Sequence, residues 1–172
     1  MKPRLLILSD LWGVSNSDWL KHYTENLKDD FDINYYDCRE LAGINAEGLE
    51  ESELHQAFVN GGIDKAVNEL IEQEKDAADI LAFSVGGVIA WKFGLANHKL
   101  NSITAISSTR LRKETSKPAC SIDLYFGEQD EYRPKTNWHN TMEIKEQIFL
   151  NCEHDCYRNV TIANQICAKL KA

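Results

Sequence analysis

The feature that most constrains this chain is Leu81-Ala82-Phe83-Ser84-Val85-Gly86-Gly87, where an apolar run breaks off at a serine set between small residues. Ahead of it, Ala77 to Phe83 reads as a short buried strand. Behind it, Val88 to Ala96 continues as a helix. A strand that turns into a helix at a single residue leaves no room for bulk two positions to either side, because side chains there would collide with the strand or the helix. Ala82 and Gly86 meet that demand, and the serine hydroxyl is forced outward at the tip of the turn. The commoner form of this turn has glycine at both flanking positions, so Ala82 is a conservative departure. Glycines that only allow close helix–strand packing would produce the same letters, and the rest of the chain must separate the two readings.

Around this junction, strand-like and helix-like stretches alternate. Arg4 to Ser9 is an apolar run suited to a strand buried on both faces. Ser17 to Leu27 then places Trp19, Leu20, Tyr23 and Leu27 at helical spacing, with Ser15 or Ser17 as its cap. Phe31 to Tyr36 gives a second strand. Glu50 to Phe58 and Ile63 to Ile71 read as helices broken at Gly61-Gly62. After the third strand come Ser102 to Ser107, Ser121 to Phe126 and Glu146 to Leu150 as strands four to six, then an amphipathic helix from Val160 to Leu170. Strands alternating with helices predict a doubly wound α/β fold: a mainly parallel six-stranded sheet with helices on both faces, as one domain over 1–172. In such sheets the ligand crevice opens at the carboxyl ends of the strands where the winding reverses. With strand one between strands two and three, Ser9 to Gly13 and Ser84 share that crevice.

Composition removes several classes of function. The chain has 172 residues, 43% of them hydrophobic, enough for one self-sufficient core. A net charge of −8 argues against nucleic acid or an anionic membrane as partner, since phosphate binding rests on clustered Lys and Arg. Leu5 to Leu8 is too short for the core of an export signal before Asp10 interrupts it, and no apolar run is long enough to span a bilayer. Five cysteines at irregular spacing (Cys38, Cys120, Cys152, Cys156 and Cys167) read as reduced thiols in a cytoplasmic protein. Cys152-Glu153-His154-Asp155-Cys156 lacks the second ligand pair of a closed zinc site, so no metal is expected.

A serine hydroxyl needs a general base to act as a nucleophile, usually a histidine whose other ring nitrogen is held by a carboxylate. Strand five runs into Gly127-Glu128-Gln129-Asp130, and strand six into Asn151-Cys152-Glu153-His154, so a carboxylate and an imidazole follow the serine on successive strand-end loops. His22, His55 and His98 fall on helices or their ends and read as surface residues. His139, after Trp138, is the other candidate base. Glu128 and Asp155 compete with Asp130 as the acid, and the Gly-x-x-Asp turn favours Asp130. A flavin or nucleotide binder of flavodoxin type would need a glycine-rich cradle after strand one, where Ser9 to Val14 has one glycine among bulky side chains.

In the small-x-Ser-x-Gly elbow, the Gly-x-x-Asp turn and His154 in the last strand-to-helix loop, taken in that order, the chain resembles a small, capless member of the α/β hydrolase superfamily over nearly its whole length. The resemblance implies Ser84 as nucleophile, His154 as general base and then acid, and Asp130 as the residue that orients it. It also implies an oxyanion hole from the backbone amides of Val85 and of Leu11, or of Trp12 if the loop is offset by one. Many relatives carry His-Gly where this chain has Ser9-Asp10. The Asp10 carboxylate either braces the loop through backbone amides or, pointing inward, repels the oxyanion. The connection from Ser108 to Cys120 is too short for the helical cap of many relatives, which predicts an open crevice with little apolar enclosure, while Trp12, Arg110 and Arg112 are candidates for binding substrate, the two arginines meeting an anionic group. The implied activity is a serine hydrolase of a small or exposed carboxylic ester or thioester, with no cofactor. The alternative is a hydrolase scaffold serving as a binding or regulatory module.

Overall fold

A computed structural model describes residues 2–96 and 99–172; His98 lies outside the described residues. Six strands form one sheet in the order β2-β1-β3-β4-β5-β6, every neighbouring pair parallel. They are β1 Arg4–Leu8, β2 Asp32–Tyr36, β3 Ala78–Phe83, β4 Leu100–Ile106, β5 Ser121–Gly127 and β6 Glu146–Phe149. β1 pairs with β2 on one side, Leu6 opposite Asn34, and with β3 on the other, Leu6 opposite Ile80. Winding therefore reverses between β1 and β3, which sets the β1 loop beside Ser84 as the alternation of strands and helices predicts.

The helices are α1 Lys21–Leu27, α2 Cys38–Ala42, α3 Glu51–Ala57, α4 Ile63–Gln73, α5 Val85–Ala96, α6 Thr136–Met142 and α7 Val160–Leu170. They cover both faces and create two cores. One joins Leu6, Leu8, Ile80 and Ala82 to α4 and α5. The other joins Leu5, Ile7, Leu81 and Phe83 to α1 and α7. The central strands are buried on both faces, so they read as continuous apolar runs rather than as alternation. Among the described residues no helix is long and apolar enough to cross a membrane.

The first helix departs from expectation. Two 3-10 turns, Gly13–Asn16 and Asp18–Leu20, precede a shorter α1, and neither Ser15 nor Ser17 caps it. Ser17 instead donates to the Val14 carbonyl, and Ser15 accepts from Arg39. The Trp19 indole N–H donates to the Asn16 carbonyl, which holds the tighter turn while the ring enters the second core. The break after α3 is where the glycines put it: Phe58–Gly62 is a π-type turn with Asn60 and Gly61 outside helical geometry.

Candidate active site

β3 ends at Phe83, whose ring packs edge-on against Trp19 and Tyr23 and tilted against Tyr157, with centroids 4.7, 4.8 and 5.4 Å away. That anchor fixes the end of the strand, and the next residue makes the turn. Ser84 has φ 50°, a left-handed conformation costing a non-glycine residue about 1–3 kcal/mol, and its amide donates to the Ile106 carbonyl at 2.9 Å. A methyl on Gly86 would lie 2.5 Å from the Ser9 carbonyl oxygen, so the requirement for a small residue comes from the β1 strand end crossing beneath the turn. Ala82 is fully buried and its methyl is accommodated.

Ser84 Oγ lies 2.9 Å from His154 Nε2, and His154 Nδ1 lies 2.7 Å from Asp130 Oδ2. Asp130 is buried and His154 is 43% exposed, so the ring has one face toward solvent and its far nitrogen tied to a dry carboxylate. The Gly-x-x-Asp turn has a local cause: a methyl on Gly127 would lie 2.3 Å from the Glu153 carbonyl oxygen, so glycine lets the His154 loop pass close over β5. The competing acids are elsewhere. Glu128 accepts the Asn151 amide at 3.0 Å, and Asp155 is exposed. His139 is buried between Trp138 and Phe126, its Nε2 3.2 Å from Glu146, and does not line the crevice.

The β1 loop decides between the two roles open to Asp10. Its carboxylate is buried and braces the loop: Oδ1 accepts the Trp12 amide at 3.0 Å, while Oδ2 accepts from the Tyr157 hydroxyl at 2.9 Å and from Arg158 at 3.3 Å. Burial raises its pKa above the usual carboxylate value, against the opposing pull of Tyr157 and Arg158. Ser9 Oγ donates to the Asp10 carbonyl and accepts the Cys38 amide, each at 2.8 Å. The Trp12 amide is therefore engaged. Among the described residues no protein acceptor takes the amide of Leu11 or of Val85.

Ser84 and His154 open into a cavity of about 500 Å³. Arg110, Arg112, Leu11 and Val85 line it. Trp12 does not: its ring is half-buried against the α4–α5 side of the core, because the brace from Asp10 turns residue 12 inward. The expectation of an open crevice with little apolar enclosure also needs correction. The β4–β5 connection carries only the 3-10 turn Thr109–Lys113 and no cap, but α3 and the turn after it wall the cavity with Phe58, Val59 and nearby Ile63. His55, expected to lie away from the strand ends, is exposed on α3 yet lines the cavity. Tyr132, at the rim under the Arg112 guanidinium 5.7 Å away, was missed, as were Tyr157 and Arg158.

No family model matches the sequence, and no curated protein matches it. Solved structures do match the fold. A protein placed in the α/β hydrolase superfamily from Xanthomonas campestris pv. campestris superposes with TM-score 0.68 at 14% identity, covering 98% of each chain. Mouse α/β hydrolase domain-containing protein 10 gives TM-score 0.65 at 11% identity, covering 99% of this chain and 88% of its own. A structure from work on carboxylesterases of the thaumarchaeon Nitrososphaera gargenis gives 0.66 at 12%, covering 98% and 90%. The chain has the α/β hydrolase fold.

Proposed function

We propose that the chain is a serine hydrolase acting on small carboxylic esters or thioesters through an acyl-enzyme on Ser84. The observation that carries this reading is the continuous hydrogen-bonded line from Ser84 through His154 to Asp130, at 2.9 and 2.7 Å, on an elbow that opens into a cavity. In the first half-reaction Ser84 Oγ bonds to the substrate carbonyl carbon while its proton passes to His154 Nε2. The developing imidazolium faces the Asp130 carboxylate, and the oxyanion meets the amides of Leu11 and Val85, each such donor contributing a few kcal/mol. As the tetrahedral adduct collapses, the bond to the leaving oxygen or sulfur breaks and His154 returns the proton to it. Water then repeats the sequence against the acyl-enzyme, releasing the acid and restoring Ser84.

The buried thiols of Cys38 and Cys156 offer no competing nucleophile. Burial pushes Cys38 up to about 12 and Cys156 up to about 11, which keeps both protonated at neutral pH. All five cysteines are unpaired, which supports a cytoplasmic setting, and we take the chain to work as one domain. A non-catalytic scaffold was favoured by an acid in the oxyanion loop. The Asp10 carboxylate is turned into hydrogen bonds with Tyr157, Arg158 and Trp12, which weakens that alternative. Exposure to a fluorophosphonate probe tests the reading: wild type is labelled at neutral pH and Ser84→Ala is not. A folded wild type that takes no label is a scaffold rather than an enzyme.

A further inference from the structure

The cavity beside Ser84 has an uneven charge pattern. Arg110 and Arg112 reach it from the turn after β4, and both are held there by a local fold. Arg112 is committed: it donates to the Thr109 carbonyl at 2.9 Å and lies over the Tyr132 ring. Arg110 is half-buried, and among the described residues no carboxylate or carbonyl engages its guanidinium. A guanidinium that is always charged and has five donors is seldom left half out of water without an acceptor. In a chain of net charge −8, carboxylates to neutralise it are plentiful, as Arg4, Arg39, Arg133 and Arg158 show by each holding one.

The other walls limit what the acceptor is. Leu11, Phe58, Val59 and Ile63 give the cavity an apolar stretch, and beside Asp130, which is tied to His154, Glu51 contributes a negative charge from α3. That charge disfavours a dianion such as a phosphate monoester and leaves room for a single negative group. About 500 Å³ accommodates a short aliphatic chain with an ester at one end and a charged group at the other.

We propose that Arg110 is a specificity-determining residue that takes the carboxylate of a monoanionic substrate: an ester or thioester of a short dicarboxylic acid, whose methylenes lie along Phe58, Val59 and Ile63 while its scissile carbonyl reaches Ser84. The proposal rests on the hydrolase reading above and adds the class of acyl group. Arg112, already engaged with Thr109 and Tyr132, shapes the rim and contributes less.

A matched pair of esters tests it. 4-Nitrophenyl hexanoate and the 4-nitrophenyl hemiester of adipic acid differ only in the terminal group. Wild type favours the charged ester in kcat/KM by about tenfold, corrected for spontaneous hydrolysis. Arg110→Gln brings the two within about twofold, with the loss in KM for the charged ester. Lys113→Gln removes the same charge from the same turn at a residue that does not line the cavity, and it retains the preference. The proposal is overturned if wild type shows no preference, if Arg110→Gln retains it, or if Lys113→Gln erases it equally, which would make it a diffuse field effect. If neither ester turns over and the fluorophosphonate leaves Ser84 unlabelled, the hydrolase reading itself falls and the acyl-group proposal falls with it. Labelling of Ser84 with no charge preference removes only the proposal.

Discussion

Asp10 and Asp130 are both buried carboxylates, both placed just past the carboxyl end of a strand, and both tied to the short segment that follows β6. They hold it differently. Asp130 reaches His154 Nδ1 directly, so its charge is felt by the imidazole that, in the proposed mechanism, moves the proton. Asp10 reaches Tyr157 and Arg158, three and four residues further on, so it fixes the position of the segment without touching the ring. Under the proposed mechanism the same side chain thus serves an electrostatic role in one loop and a mechanical one in the other. What separates the roles is which residue of the His154–Arg158 turn the carboxylate meets.

The comparison requires that Ser84 and Asp130 act together. Ser84→Ala lowers kcat/KM on the neutral ester by about 10⁴-fold or more, because among the described residues the hydroxyl hydrogen-bonded to His154 Nε2 is that of Ser84. Asp130→Asn is nearly as costly, about 10³- to 10⁴-fold in kcat. An amide presents its N–H to Nδ1, which moves the ring proton to Nε2 and removes the acceptor for the Ser84 hydroxyl. Steady-state kinetics on folded variants checks both, and an Asp130→Asn variant within tenfold of wild type would leave that carboxylate no special place.

Asp10→Asn has a smaller effect of a different kind. Asparagine still accepts from the Trp12 amide but cannot hold Tyr157 and Arg158 with a charge, so the His154 segment and the Leu11 amide drift together. A shift of this sort costs on the order of tenfold to a hundredfold in kcat with little change in KM. Tyr157→Phe removes the 2.9 Å bond from the other end, so its loss and that of Asp10→Asn are less than additive in the double variant. Full additivity would mean that the two residues act separately and would dissolve the mechanical role.

How much of this was readable from the letters follows from the same contrast. All six strands lie within two residues of their predicted bounds, because runs such as Leu5–Leu8 and Ile80–Phe83 are buried on both faces and leave an uninterrupted apolar trace. The turns that carry Ser84 and Asp130 were legible because the backbone imposes a small residue in each: Gly86 under the β1 end, and Gly127 under the loop that carries His154. Helices α2 and α6, of 5 and 7 residues, were missed, since so short a segment shows no clear period. The α3 wall and the part played by His55 depend on how the β2–β3 connection folds back over the strand ends. Asp10 was undecidable, because Tyr157, the partner that settles its direction, is 147 residues away and no local spacing encodes it.

The smallest effect bears on the cost of burying Asp10. Its folded-state pKa is raised above the 3.8 of an unperturbed carboxyl, chiefly by burial, so the folded chain holds this proton to higher pH than the unfolded chain does. Between 3.8 and the raised value, folding therefore binds a proton. Stability from this group falls as pH rises through that window, and above it the penalty is constant. Asp10→Asn does not titrate, so the stability of the variant relative to wild type rises with pH across the window and then levels off. Urea unfolding of both proteins at steps from pH 4 to 7 reads this difference, in which the other acidic residues largely cancel. A relative stability that instead falls as pH rises would mean that Tyr157 and Arg158 outweigh burial and hold Asp10 below the ordinary carboxylate value. Asp10 would then be stabilised as an anion by its partners, and the contrast with Asp130 would come down to which residues the two carboxylates touch.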